Sequence, residues 1–314
     1  MYTYRQVFLQ ALKIAWENPI FWFFGFFLAL LGAGNELELF SGSYGFGGQG
    51  IFLAILQGLG ASDLFSPTGI QGLTRSIFLH PIYIFVLAFF FLIVFAISIL
   101  IIWLTIVSQS AVITNSVISS KNKSLSFADA FSIGINNFWP ILGINLILKA
   151  IVISLVVVIG MAALFEALGK IGFILIFDIF IFLMITSSFI ARLSVCGVIL
   201  KGWKLKESFL NALSLLKKNW LMMLEITIIL FLLIIITNAF LSFLISNIIY
   251  QTLKAVFWSK LLIFLVFGIC ILFFIFIQTI ITVFQWSVWA IVFELMTGKK
   301  MVLSSRLYNL FSRK

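Results

Sequence analysis

Long unbroken apolar runs dominate the chain, and polar positions gather in short clusters between them. A bilayer core about 30 Å thick is crossed by about 20 apolar residues in a helix. Five runs reach that length, near 82–107, 138–164, 171–191, 220–248 and 261–291. A sixth, 19–33, is shorter and very aromatic, and spans only where the bilayer thins or the helix extends. The pattern predicts an all-α fold: a polytopic transmembrane helical bundle of about six spans, forming a single membrane domain over 1–314. An outside loop covers 34–79.

The polar clusters hold a repeat. Phe8, Ala11 and Asn18 recur in spacing as Phe127, Ala130 and Asn137, and again as Phe209, Ala212 and Asn219. A tryptophan lies within two residues of each asparagine (Trp16, Trp139, Trp220), and an apolar run follows. Apolar residues at Phe8, Ala11, Leu12 and Ala15 make one helical face, with Arg5, Gln6, Lys13 and Glu17 opposite. Such a helix is expected to lie in the membrane surface, apolar side down. Asn18 before Pro19 ends it and restarts the next helix, since asparagine suits an N-cap and proline a first helical position. Asn137 with Pro140, and Asn219, mark the same corner. The repeated lead-in units fall near 4–33, 124–164 and 205–248. The stretches after 107 and 191 are too polar to span and read as helical continuations past the membrane.

Composition agrees. The chain is 63% hydrophobic and 10% charged, with a mean hydropathy of +1.24, against about 25% charged in soluble chains. The net charge of +10 raises the question of nucleic acid, but topology explains it better. With both termini cytoplasmic, 15 of the 20 Lys and Arg fall inside, as cytoplasmic retention of basic residues demands. A multi-pass protein of the cell (cytoplasmic) membrane is expected. The stretch before the first run is long for a signal peptide, and cleavage would remove one copy of the repeat. Cys196 and Cys270 read as buried small hydrophobes, and with one histidine, His80, no zinc site can be assembled. The glycine-rich segment 45–50 lacks the strand and helix that a nucleotide-binding loop needs. No cofactor is expected.

The chemistry rests on a few polar residues within the runs. An ionisable group there is costly and raises a functional hypothesis. Lys149 and Asp178 fall at similar depths on adjacent spans, with Asn145 one turn from Lys149, giving a candidate intramembrane polar centre or a structural interhelical pair. Arg192 and Glu225 form a candidate structural ion pair. Ser98, Thr105 and Gln109, and Gln278, Thr282 and Gln285, form polar stripes that either line a hydrated path or bond helix to helix. Lys201, Lys204, Lys206, Lys217 and Lys218 form a basic cluster suited to anionic lipid headgroups.

The lead-in motif, a surface helix ending in Asn-Pro or Asn-Phe-Trp-Pro before an aromatic-rich span, resembles the membrane domain of bacterial glycerophosphoryl diester phosphodiesterases. It is also similar to related six-span bacterial membrane proteins without assigned activity. In those enzymes catalysis resides in a separate barrel domain with paired acidic residues and histidines. The resemblance therefore implies a membrane domain without its enzyme. The sequence favours a non-catalytic scaffold or lipid-interacting membrane protein. Its partners are membrane lipids with anionic headgroups on the cytoplasmic face, or a membrane protein, and not nucleic acid. The alternative is a permease for a small or lipidic solute that uses Lys149 and Asp178.

Overall fold

The computed structural model describes residues 4–30, 82–121, 125–164, 169–255 and 260–298. Every element among them is a helix: α1 (Tyr4–Glu17), α2 (Ile20–Leu30), α3 (Ile82–Ser120), α4 (Phe127–Asn136), α5 (Phe138–Leu164), α6 (Gly169–Lys201), α7 (Leu205–Ala255) and α8 (Lys260–Thr297). Four helices are long and apolar enough to cross a membrane, or five if the pair α4 and α5, bent by 61°, counts as one span. The aromatic run 19–33 is described as the 11 residues of α2, about 16 Å of helix at 1.5 Å per residue. The outer loop 34–79 lies outside the described residues.

The interior is built on α3, α6 and α8, which touch one another pairwise. Around them α1 and α2 sit against α3 and α8, α4 and α5 against α3 and α6, and α7 against α6 and α8. The dense part of the bundle is confined to one end. From Thr105 to Ser116, α3 is buried apart from a half-buried Thr114, and so are 191–198 of α6 and 282–293 of α8. At the other end the apolar stretch from Phe85 to Leu100 is exposed residue by residue.

The stretches after 107 and 191 do continue their helices, to Ser120 in α3 and Lys201 in α6, and they do so inside the bundle. Ser108, Gln109, Ser110, Asn115, Ser116 and Ser194 are among the most deeply buried side chains. Lipid is as apolar as leucine, so nothing drives a leucine-rich face inward. Small residues that let backbones approach, and polar groups that bond across helices, decide what faces protein. The Oγ atoms of Ser116 and Ser287 meet at 2.8 Å across α3 and α8.

The corners are built alike. Asn18, Asn137 and Asn219 each donate Nδ2 to the carbonyl four residues back, on Ile14, Ile133 and Leu215, at 3.0, 2.9 and 3.2 Å. The side chain adds a bond to a carbonyl of the helix's last turn, and at Ile133 it joins the Asn137 backbone N–H, which donates to the same oxygen at 3.2 Å. At Asn219 the backbone leaves helical geometry (φ −127°, ψ 23°) and α7 kinks. Ser126 caps α4, accepting from Asp129 N at 3.2 Å. Gly202, at φ 66°, closes α6 and donates to Val198 O at 3.1 Å. Asn219→Asp keeps the size and loses the donor. It should cost about 1 kcal/mol, read as earlier thermal unfolding in detergent; a variant as stable as the parent would deny the corner bond any weight.

The surface-helix reading needs correction. The face of α1 bearing Val7, Ala11, Ile14 and Ala15 is buried against protein rather than lipid, and Phe8 packs 6.1 Å from the Phe284 ring of α8. Leu12, expected on that face, is exposed instead.

Candidate functional site

The helices that carry Lys149 and Asp178 do pack together, but not through these residues. Their seam holds Val152 of α5 with Phe180 and Met184 of α6. Asp178, two residues before Phe180, falls on another side of its helix, and both charged side chains are exposed. No ion pair joins them. The expected Lys149–Asp178 pair is thus corrected: similar depth on neighbouring helices does not give a shared face. Asn145 bonds elsewhere, donating Nδ2 to Gln109 Oε1 of α3 at 2.9 Å. An open apolar groove of about 480 Å³ on α5, lined by Ile147, Ala150, Ile151, Ser154 and Val158, lies on the far side of the helix from Lys149 by helical phase.

The polar stripes are consumed between or along helices. Thr105 Oγ1 donates to the carbonyls of Phe27, at 3.0 Å, and Ile101, at 2.8 Å. Gln109 receives Asn145 as above, and Gln278 Nε2 donates to Asn238 Oδ1 of α7. Thr282 bonds its own helix through Gln278 O at 2.8 Å, and Gln285 is buried. Ser98 is exposed and bonds Val94 O at 2.8 Å.

Arg192 is buried in α6, with its guanidinium carbon 5.0 Å from the centre of the Trp289 ring. A cation over an indole face is held by the ring quadrupole, most strongly where water is excluded. Phe189 closes on the same tryptophan at 5.9 Å. Glu225 accepts from the Tyr4 hydroxyl of α1. Beside this centre Lys121 Nζ lies 2.6 Å from Glu294 Oε1, tying the end of α3 to α8. Tyr4, Lys121, Ser116 and Ser287 escaped sequence reasoning. The signal for the two serines was the small-and-polar composition of their stretches.

Lys201, Lys204, Lys206, Lys217 and Lys218 are all exposed at the densely built end, on α6, α7 and the turn between them. Trp203, in that turn, packs on Phe293 at 5.7 Å. Trp16, Trp139 and Trp220 are exposed beside their corners. Cys196 and Cys270 are buried free thiols. Among the described residues no three His, Cys, Asp or Glu side chains gather to hold a metal ion.

No known protein family matches the chain, and no curated protein or solved structure does either. The fold and its surfaces define the class: an all-helical protein embedded in a membrane.

Proposed function

We propose that the chain is a non-catalytic integral membrane protein, a scaffold or lipid-interacting domain of the cell membrane. It has six spans in three repeated units, with both termini on the basic, cytoplasmic side. The observation that carries the reading is the fate of the intramembrane polar groups. Gln109 with Asn145, Gln278 with Asn238, Ser116 with Ser287 and Arg192 with Trp289 are matched helix to helix. What remains outward is a basic end and an apolar surface interrupted by Lys149 and Asp178. The pairwise contact of α3, α6 and α8, with one outer unit against each pair, supports the threefold repeat. So does the identical corner bond at Asn18, Asn137 and Asn219. We read the resemblance to phosphodiesterase membrane domains in the same sense, as a likeness of membrane-embedded architecture.

A permease needs a hydrated route with a polar station, and Lys149 and Asp178, unpaired with each other, do not assemble one. The test is extraction from native membrane in lipid-retaining polymer particles, with mass spectrometry of the lipids held. Enrichment of anionic phospholipid over the bulk membrane is expected. A retained mixture equal to the bulk overturns the lipid-interacting reading.

A further inference from the structure

The surface helices have three faces where an interfacial helix needs two. In α1, Val7, Ala11 and Ile14 are buried on protein. One residue back in phase, Gln6, Gln10, Lys13 and Glu17 form a polar stripe, with Lys13 Nζ 3.9 Å from Glu17 Oε1 and Gln10 bonded to Ser120 O at 3.1 Å. One residue further back runs a third stripe, Arg5, Leu9, Leu12 and Trp16, at the i, i+4, i+7, i+11 spacing of one helical face. This stripe is open: Leu9 is 53%, Leu12 50% and Trp16 63% exposed.

The first turns of α7 repeat the arrangement at the same register. Ser208, Ala212 and Leu216 are buried, and Glu207, Asn211, Ser214 and Lys218 form the polar stripe. Lys206, Leu210, Leu213 and Lys217 form the third stripe, where Leu210 is 61% and Leu213 38% exposed. Both third stripes thus pair two open leucines with a basic residue one turn before the first leucine. In α4 the matching positions are Ala128, Phe131 and Ile135, with no basic residue among them.

An exposed leucine pair gains nothing in water, and protein already covers the other apolar face. A cation one turn before the leucines in each stripe selects the occupant. We propose that the stripes Arg5–Leu9–Leu12–Trp16 and Lys206–Leu210–Leu213–Lys217 are two equivalent seats for anionic phospholipid. The leucines lie along acyl chains, and Arg5 or Lys206 holds the headgroup phosphate. The proposal rests on the lipid-interacting reading above and adds what that reading lacks: sector, not charge count, decides which basic residues recognise lipid. Lys13, on the polar stripe of α1 beside Glu17, faces water and recognises none.

The test uses the full chain in vesicles of phosphatidylcholine with a minor share of phosphatidylglycerol, with the relative association of spin-labelled forms of each lipid as the readout. Arg5→Gln with Lys206→Gln should lower the preference for phosphatidylglycerol about fivefold at each seat, the change expected when one basic residue is removed from an anionic surface. Lys13→Gln removes the same charge from α1 as Arg5→Gln does and should leave the preference unchanged, where Arg5→Gln alone lowers it. Leu9→Gln with Leu210→Gln should weaken both lipids alike. An equal fall for Arg5→Gln and Lys13→Gln overturns the sector assignment, as does no fall for Arg5→Gln. A parent protein with no preference for phosphatidylglycerol sinks the lipid-interacting reading itself.

Discussion

Replacing Gly134 by leucine should leave little folded protein, and even Gly134→Ala should cost about 2 kcal/mol, inside the range for overpacking a well-filled core. A Cβ at Gly134 would stand 2.5 Å from Val107 Cγ1, 2.7 Å from Val107 O and 3.0 Å from Val107 Cα. Two of those three atoms are backbone of α3, so no change of rotamer makes room. Val107→Ala should therefore rescue Gly134→Ala only in part, because the carbonyl stays where it is. Gly268 on α8 is the counterpart, with nothing within 4 Å of its Cβ position. Gly268→Ala should be neutral or slightly stabilising, since alanine favours a helix interior by up to about 1 kcal/mol over glycine. Thermal unfolding followed by size-exclusion chromatography in detergent separates the pair. A Gly134→Ala protein as stable as the parent would remove the close approach of α4 to α3 and the corner built on it.

The contrast between the two glycines shows why only part of the molecule was legible in the sequence. Apolar run lengths gave the membrane-embedded helical class, because the bilayer sets a length and composition that hydropathy reads directly. The places of the corners were legible, but not the bond made there, since the asparagines expected to N-cap the next helix instead donate back to the helix before. The spacing from Ala11 to Asn18, Ala130 to Asn137 and Ala212 to Asn219 returns as three buried alanines and three side-chain-to-carbonyl bonds. Burial inside the spans was not legible. In water, an apolar stripe against a polar one names the inward face. In lipid both faces are apolar, and Phe85 to Leu100, the most hydrophobic part of α3, faces outward. The stretch from Ser108 to Ser116 read as too polar to span, and it is core. Lys149 and Asp178 failed as a pair for a related reason, since depth along two helices can be counted from sequence but their mutual rotation cannot. On α1, Leu12 was assigned to the buried face and lies on the open one, because three sectors were read as two.

Trp289→Ala should be the most damaging single change at the buried centre, costing about 3–5 kcal/mol as a large aromatic truncation. Trp289 is the largest fully buried side chain among the described residues. It joins Phe189 and Arg192 of α6 to α8. The arginine makes the effect more than a cavity. With its ring gone, the Arg192 guanidinium is left in a buried site without the aromatic face beneath it. Arg192→Met, which removes the charge and keeps much of the volume, should then cost less in the Trp289→Ala background than in the parent. The expected difference is about 1–2 kcal/mol, the range for a desolvated cation over an indole. A double-mutant cycle on unfolding in mixed micelles measures it. Equal costs of Arg192→Met in both backgrounds would mean that the two side chains touch without coupling. They would then add only packing between α6 and α8, while Tyr4–Glu225 and Lys121–Glu294 still tie α1 to α7 and α3 to α8. A measured coupling would make the Arg192–Trp289 contact an energetic tie between α6 and α8.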